Sequence, residues 1–168
     1  MNAVKRLWNN ELPGFGSVDA MNELIGALIM GLWNRLGQHQ NRNAPFRLLR
    51  TEVPATRTGL SKLALMRRQE IDGFVEGLFD TQEVLELPER AHRALTALSE
   101  MRAICVAVVK LAEDETKPAA AHDIQTTLRN MREVTKTAER EIHAVVLACA
   151  RARRQMLESL PANRPTLH

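Results

Sequence analysis

The 168-residue chain has no tyrosine, and aromatic residues make up only 4% of it. Because β-sandwiches draw heavily on aromatic and β-branched residues, this shortage argues against a sandwich and favours helices packed through leucine, alanine and methionine. The length suits one domain with a sizeable core. We therefore expect a mainly α fold, with residues 1–160 as a single helical domain and residues 161–168 as a flexible tail.

Cysteines and long apolar runs are also scarce. The two cysteines, Cys105 and Cys149, lie far apart in helical apolar stripes, which gives neither a disulfide framework nor a zinc-binding pattern. We expect both to be buried thiols. No apolar run approaches the ~20 residues needed to cross a bilayer, and the first residues lack the apolar stretch of a signal peptide. We expect a cytoplasmic protein with no membrane contact.

The usual signatures of catalysis and nucleotide binding are missing. Gly14-x-Gly16 follows no predicted strand and lacks the third glycine of a phosphate-binding loop. No serine or cysteine lies in a nucleophile motif, and the five histidines form no recognisable triad by spacing. The sequence therefore predicts no enzyme activity and no cofactor.

Two pairs of residues have the spacing of metal ligands on a helix. They are Glu89 with His92, three residues apart, and Glu139 with His143, four residues apart. A helical di-metal site needs two Glu-x-x-His copies and two further carboxylates, whereas the chain has one copy. We therefore expect these four residues to lie on the surface and to bind no metal. A metal or redox bundle would require their side chains to converge.

Three stretches have the apolar spacing of helices. The first covers residues 18–36, with Ser17 or Asp19 as its N-cap. The second covers residues 88–111 and opens with a proline, which a first turn accepts. The third begins at Thr116 and Pro118 and could run to Leu160, and the stretch from Pro118 onwards would be about 64 Å long at 1.5 Å per residue. That is long for this domain, so we expect either a break or a projecting arm.

The stretch PFRLLRTEVPATRTGLSKLALMRR, residues 45–68, allows two interpretations. As a β-hairpin, its two apolar arms flank a turn that contains Pro54 and Gly59. As a helix, it would begin at Ser61 as N-cap, but the apolar stripe over the first two turns would be poor. We favour the hairpin, over about 46–68, with a short helix after it.

Charge is strongly segregated along the chain. Residues 42–68 carry a net charge of +6, residues 69–115 carry −7 and residues 116–168 carry +4. The acidic segment either neutralises the basic segments within the fold or leaves one surface basic for a polyanion. The basic residues form the strongest candidate site, because closely spaced phosphates bind best where several Lys and Arg side chains meet. The candidate nucleic-acid-binding residues are Arg47, Arg50, Arg57, Lys62, Arg67 and Arg68 in the hairpin, and Arg129, Arg132, Lys136 and Arg140 in the last helix.

The order of elements resembles an uncharacterised family carried on bacterial integrating conjugative elements. The likeness covers most of residues 7–145 and lies in short motifs, chiefly Pro45-Phe46-x-Leu48-Leu49, Thr58-Gly59 and Leu65-x-Arg67-Arg68. That family has no assigned activity, so the resemblance implies a setting in the maintenance or transfer of a mobile element. It also implies a hairpin at 46–68.

Together these observations predict an N-terminal helix, a small basic β-hairpin, a short helix and two long antiparallel helices. The two long helices should pack through Leu95, Leu98, Cys105, Ile142 and Cys149. We expect a non-enzymatic accessory protein that binds single- or double-stranded DNA with little sequence specificity. The alternative is a helical adaptor that binds a protein partner or a second copy of the chain, with no nucleic-acid role.

Overall fold

The computed structural model describes residues 14, 16–28, 30, 34–79, 86–116 and 118–159. The described residues form five helices, of which α2 is a short one: α1 (Val18–Gly26), α2 (Asn34–Gln38), α3 (Arg57–Phe79), α4 (Glu89–Glu113) and α5 (Ala121–Ser159). The described part of the chain contains no β-strand. The mainly α class is therefore confirmed. The predicted tail, residues 161–168, lies outside the described residues.

The core lies between α3, α4 and α5, each antiparallel to the next. Leu98 of α4 is fully buried with Ile142 of α5, and Cys105 is buried nearer the opposite end of the bundle with Leu63 of α3. These contacts confirm the predicted packing of the two long helices. Leu95 and Cys149, also predicted for the core, are only partly buried at its edge.

The predicted β-hairpin over 46–68 is wrong. Its first arm is extended but pairs with no strand among the described residues, and its second arm is the start of α3. The buried positions of that arm follow helical spacing, and Leu65 is 37% exposed. The buried residues of α3 as a whole are Gly59, Leu60, Leu63, Ala64, Arg67 and Ile71. Because an arginine, Arg67, lies in the middle of this buried stripe, the spacing of apolar residues alone gives too weak a signal for a helix.

The start of α3 depends on Thr56 rather than on Ser61. The Thr56 side-chain oxygen accepts a hydrogen bond from the backbone N–H of Gly59, at 3.1 Å, which satisfies one of the free donors of the first turn. The backbone N–H of Thr56 itself donates to the carbonyl of Pro54, at 2.8 Å. The residues that suggest a hairpin turn therefore form a tight entry to a helix. Residues 69–78, predicted as a separate short helix, continue α3.

The N-terminal helix begins as predicted, and Ser17 is its cap. The Ser17 hydroxyl accepts a hydrogen bond from the backbone N–H of Ala20, at 3.1 Å. The α-helix continues as π-helical turns at Ala27, Leu28 and Met30, and α2 covers Asn34–Gln38; the remaining residues of the predicted helix before residue 34 lie outside the described residues. No residue of α1 is buried, so the core forms without it.

Helix α5 is continuous over 39 residues, or about 58 Å. It begins at Ala121, a few residues later than predicted. It has no break, so the second of the two expected outcomes, a projecting arm, is the one observed. The arm consists of residues 153–159, and every one of its side chains is exposed. No helix in the described part of the chain is long and apolar enough to span a bilayer.

Replacing Gly59 with alanine should destabilise the fold by about 1–3 kcal/mol. A Cβ atom at Gly59 would lie 2.1 Å from the Pro54 carbonyl oxygen, so backbone would have to move. Equilibrium unfolding in urea measures the change.

Gly73→Ala, in the same helix, is the matched control. A Cβ atom there meets no atom within 4 Å, so this change should stabilise the protein by about 0.5–1 kcal/mol through helix propensity. Equal effects of the two substitutions would contradict the role of the close approach at Gly59.

Candidate nucleic-acid interface

The extended segment before α3, residues 45–54, is a strap that lies against α3 and α5. It has no neighbouring strand among the described residues, so its backbone polar groups need other partners. Glu139 of α5 supplies two contacts. Its carboxylate accepts a hydrogen bond from the backbone N–H of Leu48, at 3.0 Å, and an ion-paired one from the Arg47 guanidinium, at 2.8 Å. Leu48 is thereby held with its side chain in the core.

Arg67 and Glu70 of α3 hold the next residue of the strap. Arg67, only 3% exposed, donates to the backbone carbonyl of Leu49 and to the carboxylate of Glu70. Glu70 in turn accepts from the backbone N–H of Leu49, at 3.1 Å. Both backbone groups of Leu49 are therefore satisfied by side chains, as a partner strand would otherwise do.

Histidines fix the chain just before the strap. The Nε2 atom of His143 donates to the carbonyl of His39, at 3.0 Å, and lies 3.3 Å from that of Asn41. His39 donates through Nδ1 to the Ala44 carbonyl, at 3.0 Å, and its ring meets that of Phe46 edge to face. The segment therefore runs beside α5 in the opposite direction, from His143 towards Glu139 and beyond.

A groove of about 770 Å³ opens between the strap, α3 and α5. We call it the strap groove. Four largely exposed cations line it: Arg47 and Arg50 from the strap, and Arg132 and Lys136 from α5. Two elements separated by about eighty residues in the sequence thus bring predicted site residues to one surface.

The cations of the groove differ in how far they are neutralised. Arg47 is paired with Glu139, and Lys136 with Glu133, at 2.7 Å. Arg50 and Arg132 are exposed and have no acidic partner among the described residues. Exposed pairs such as Lys136–Glu133 contribute little energy, so Lys136 can exchange its partner for a phosphate at small cost.

Three of the predicted site residues are engaged elsewhere. Arg67 is buried beneath the groove, in the contacts with Leu49 and Glu70. Arg57 donates to the carbonyl of Asp114, at 2.7 Å, just beyond the C-terminal end of α4, where a cation also interacts favourably with the helix dipole. Arg68 lies 3.9 Å from Asp72. These side chains organise the fold.

The other three predicted residues are exposed but do not line the groove. Lys62 points away from it on α3, and Arg129 and Arg140 lie along the basic face of α5 on either side of Arg132 and Lys136. Arg140 also contacts Glu141, at 3.1 Å.

Within the described part of the acidic segment 69–115, acids of α3 pair with arginines of the basic region on α3. Glu70 pairs with Arg67, and Asp72 lies between Arg68 and Arg102. No acid of the described part of this segment lines the strap groove, where Glu52 and Glu139 are the acidic residues. The groove therefore keeps an excess of positive charge.

The two metal-spaced pairs do not come together in a metal site. Glu139 and His143 are occupied by the strap and the residues before it, whereas Glu89 and His92 are exposed at the start of α4. Among the described residues, no three His, Cys, Asp or Glu side chains are grouped closely enough to hold a metal ion.

Both thiols are in environments that suppress the reactive thiolate. Burial raises the pKa of the Cys105 thiol to about 11, and the charge of Arg67 only partly opposes this. Burial also raises the pKa of Cys149, which is less enclosed. A thiolate nucleophile at neutral pH is therefore disfavoured at both positions.

Sequence reasoning missed the residues that build the groove. Glu139, Glu70 and His143 are polar residues whose partners are backbone atoms of a distant segment. The only signal for them is that Glu139 and His143 share one edge of the apolar stripe of α5. That spacing also fits a metal pair or an exposed surface, so it does not identify a strap contact.

No protein-family model, no curated protein and no solved structure matches the chain.

Glu139→Ala should lower the free energy of unfolding by about 1–3 kcal/mol, because it leaves the buried Leu48 N–H without its partner and removes the carboxylate that pairs with the exposed Arg47. Urea denaturation measures this. Glu133→Ala removes an exposed carboxylate from the same helix and should change stability by less than about 1 kcal/mol. A mild effect at Glu139, similar to that at Glu133, would mean that the strap is held by its apolar contacts alone.

Cys105 should resist alkylation in the folded protein. With a pKa of about 11, about one thiol in a thousand is ionised at about pH 8, against about a quarter for a free cysteine. Iodoacetamide labelling followed by peptide mass spectrometry should show Cys149 modified first, and both thiols modified equally in denaturant. Rapid labelling of Cys105 in the folded protein would contradict its burial.

Proposed function

We propose that this chain is a non-enzymatic accessory protein of a bacterial mobile genetic element, and that it binds nucleic acid electrostatically through the strap groove. The observation that carries the proposal is the meeting of Arg47, Arg50, Arg132 and Lys136 around one open groove. Each phosphate that these cations neutralise releases condensed counterions, and that release supplies the free energy of binding.

The lining of the groove favours contacts with phosphates over contacts with bases. None of its lining residues is aromatic, and the nearby Phe46 packs against the core and the His39 ring. Base stacking on an aromatic ring, the usual device of single-strand readers, therefore has no platform in the groove. We infer a low preference for base sequence.

The raised pKa values of both thiols fit a role without covalent catalysis, since neither cysteine is poised as a nucleophile.

The mobile-element setting comes from the resemblance of the short motifs at 45–49, 58–59 and 65–68 to those of the family carried on integrating conjugative elements.

A second candidate function is that of a helical adaptor for a protein partner. It is favoured by apolar side chains left open on two helices: Met156 and Leu157 on the arm are 61% and 60% exposed, and Val18 on α1 is 68% exposed. An adaptor of this kind would keep its partner when the groove cations are removed, so variants of those cations separate the two functions.

Arg50→Ala combined with Arg132→Ala should weaken the binding of labelled single- and double-stranded DNA and make it less sensitive to salt. Removing one cation that neutralises a phosphate should reduce the log–log salt slope by about 0.7 for single strands, so the slope of the double variant should fall by about 1.4. Fluorescence anisotropy at several salt concentrations measures both quantities. Both side chains are exposed without an acidic partner among the described residues, so folding should be unaffected.

Lys62→Ala combined with Arg153→Ala is the matched control. It removes the same charge from exposed positions that do not line the groove, and it should bind like the parent protein. The proposal fails if the parent protein binds no DNA at low salt. It also fails if the two double variants are equally weakened, which would indicate an effect of net charge alone.

A further inference from the structure

Helix α5 carries a basic face that continues well beyond the strap groove. Arg129, Arg140 and Arg151 are spaced eleven residues apart. Eleven residues are close to three full helical turns, so the three side chains point in nearly the same direction. All three are exposed, and they extend over about 33 Å of the helix.

A second basic pocket lies further along this face, near the base of the arm. It has a volume of about 310 Å³ and lies between the loop before the strap, the start of α4 and α5. Arg42, Arg90 and Arg151 line it over an apolar floor that includes Leu147. We call it the arm-base pocket. It contains none of the residues predicted from the sequence as a site.

Two of the arginines in the arm-base pocket are open to a ligand. Arg90 is paired with Glu141, at 3.1 Å. Arg42 and Arg151 are exposed, and the described residues offer neither of them an acidic partner. The pocket therefore has the same character as the strap groove, with unneutralised arginines contributed by the strap side and by α5.

The groove and the pocket follow one another along α5 and open on opposite flanks of its basic face, because their α5 residues are centred about 140° apart at 3.6 residues per turn. The last α5 residue of the groove is Glu139, and the first of the pocket is Ala144. Arg140 lies between them with its side chain 69% exposed. The chain between Arg42 and the strap runs beside this part of α5. Cations therefore lie on both sides of the path from the groove to the pocket.

We propose that the strap groove and the arm-base pocket form one track that binds a single-stranded nucleic acid, with Arg42 and Arg151 holding its phosphates beyond the groove. This inference rests on the proposed function. A single strand can follow a straight helix for about 33 Å, whereas each strand of a duplex winds once around its axis in about 34–36 Å and leaves the track. The ligand class is therefore an extended single strand of DNA or RNA.

The length of the track sets the length of the ligand. At about 3.4 Å per nucleotide, 33 Å corresponds to about ten nucleotides, and fewer if the strand is stretched. The groove alone covers the α5 residues from Leu128 to Glu139, about 16 Å or about five nucleotides. Binding through the whole track should therefore distinguish long from short oligonucleotides.

The test is a titration of the full chain with labelled oligo(dT) of about five and about twelve nucleotides, and with a duplex of the longer length, at several salt concentrations. The longer single strand should bind more tightly and with a steeper salt dependence than the shorter one. Arg42→Ala combined with Arg151→Ala should reduce the salt slope for the longer strand by about 1.4 and leave the shorter strand unaffected. Circular dichroism checks that the variant is folded.

Lys62→Ala combined with Arg153→Ala again serves as control, since it removes the same charge, and Arg153 lies on a different face of α5 from Arg151. Equal salt slopes for the two lengths, or an Arg42/Arg151 variant that binds the longer strand like the parent, would overturn the track and leave the groove standing. A duplex that binds more tightly than the single strand would overturn the assigned ligand class. Absence of binding to every oligonucleotide would remove the proposed function and the track together.

Discussion

The structure depends on how an extended segment without a neighbouring strand satisfies its backbone. The strap lies against two helices, whose own backbone groups are already hydrogen-bonded, so side chains of these helices serve the strap backbone that faces them. Glu139 and Glu70 accept its N–H groups, and Arg67 donates to its carbonyl. These bonds let Leu48 enter the core, and they hold the basic strap beside α5. Without these bonds, the strap would not be held in place to line the groove together with α3 and α5.

This arrangement divides the arginines of the basic region into two classes. Arg67 is buried, its charge is neutralised by Glu70, and it donates to the Leu49 carbonyl of the strap, so it stabilises the groove from below. Arg50 and Arg132 remain exposed and unpaired within the described residues, so their charge is available to a ligand. The distinction does not follow from residue type or from local sequence. It follows from which side of α3, α5 or the strap each residue occupies.

Several features were predictable because they are local. The Ser17 cap, the start of α4 at Pro88 and the basic face of α5 each follow from spacing within one element. The hairpin prediction was wrong because of contacts between distant parts of the chain. Arg67 takes a core position in α3, where Glu70 neutralises its charge and the Leu49 carbonyl of the strap accepts a hydrogen bond from it. The apolar pattern of the helix therefore has a gap at this position.

The sequence by itself determined the helical class, the segregation of charge and the basic face of α5, since composition and periodicity act within a single element. Only the tertiary structure decided which cations meet. Arg50 and Arg132 are far apart along the chain, and they share a groove because Glu139 pins the strap to α5. The hydrogen bond between Leu48 and Glu139 joins residues ninety-one positions apart, and it cannot be predicted from sequence periodicity. Neither residue lies in a local pattern that requires the other.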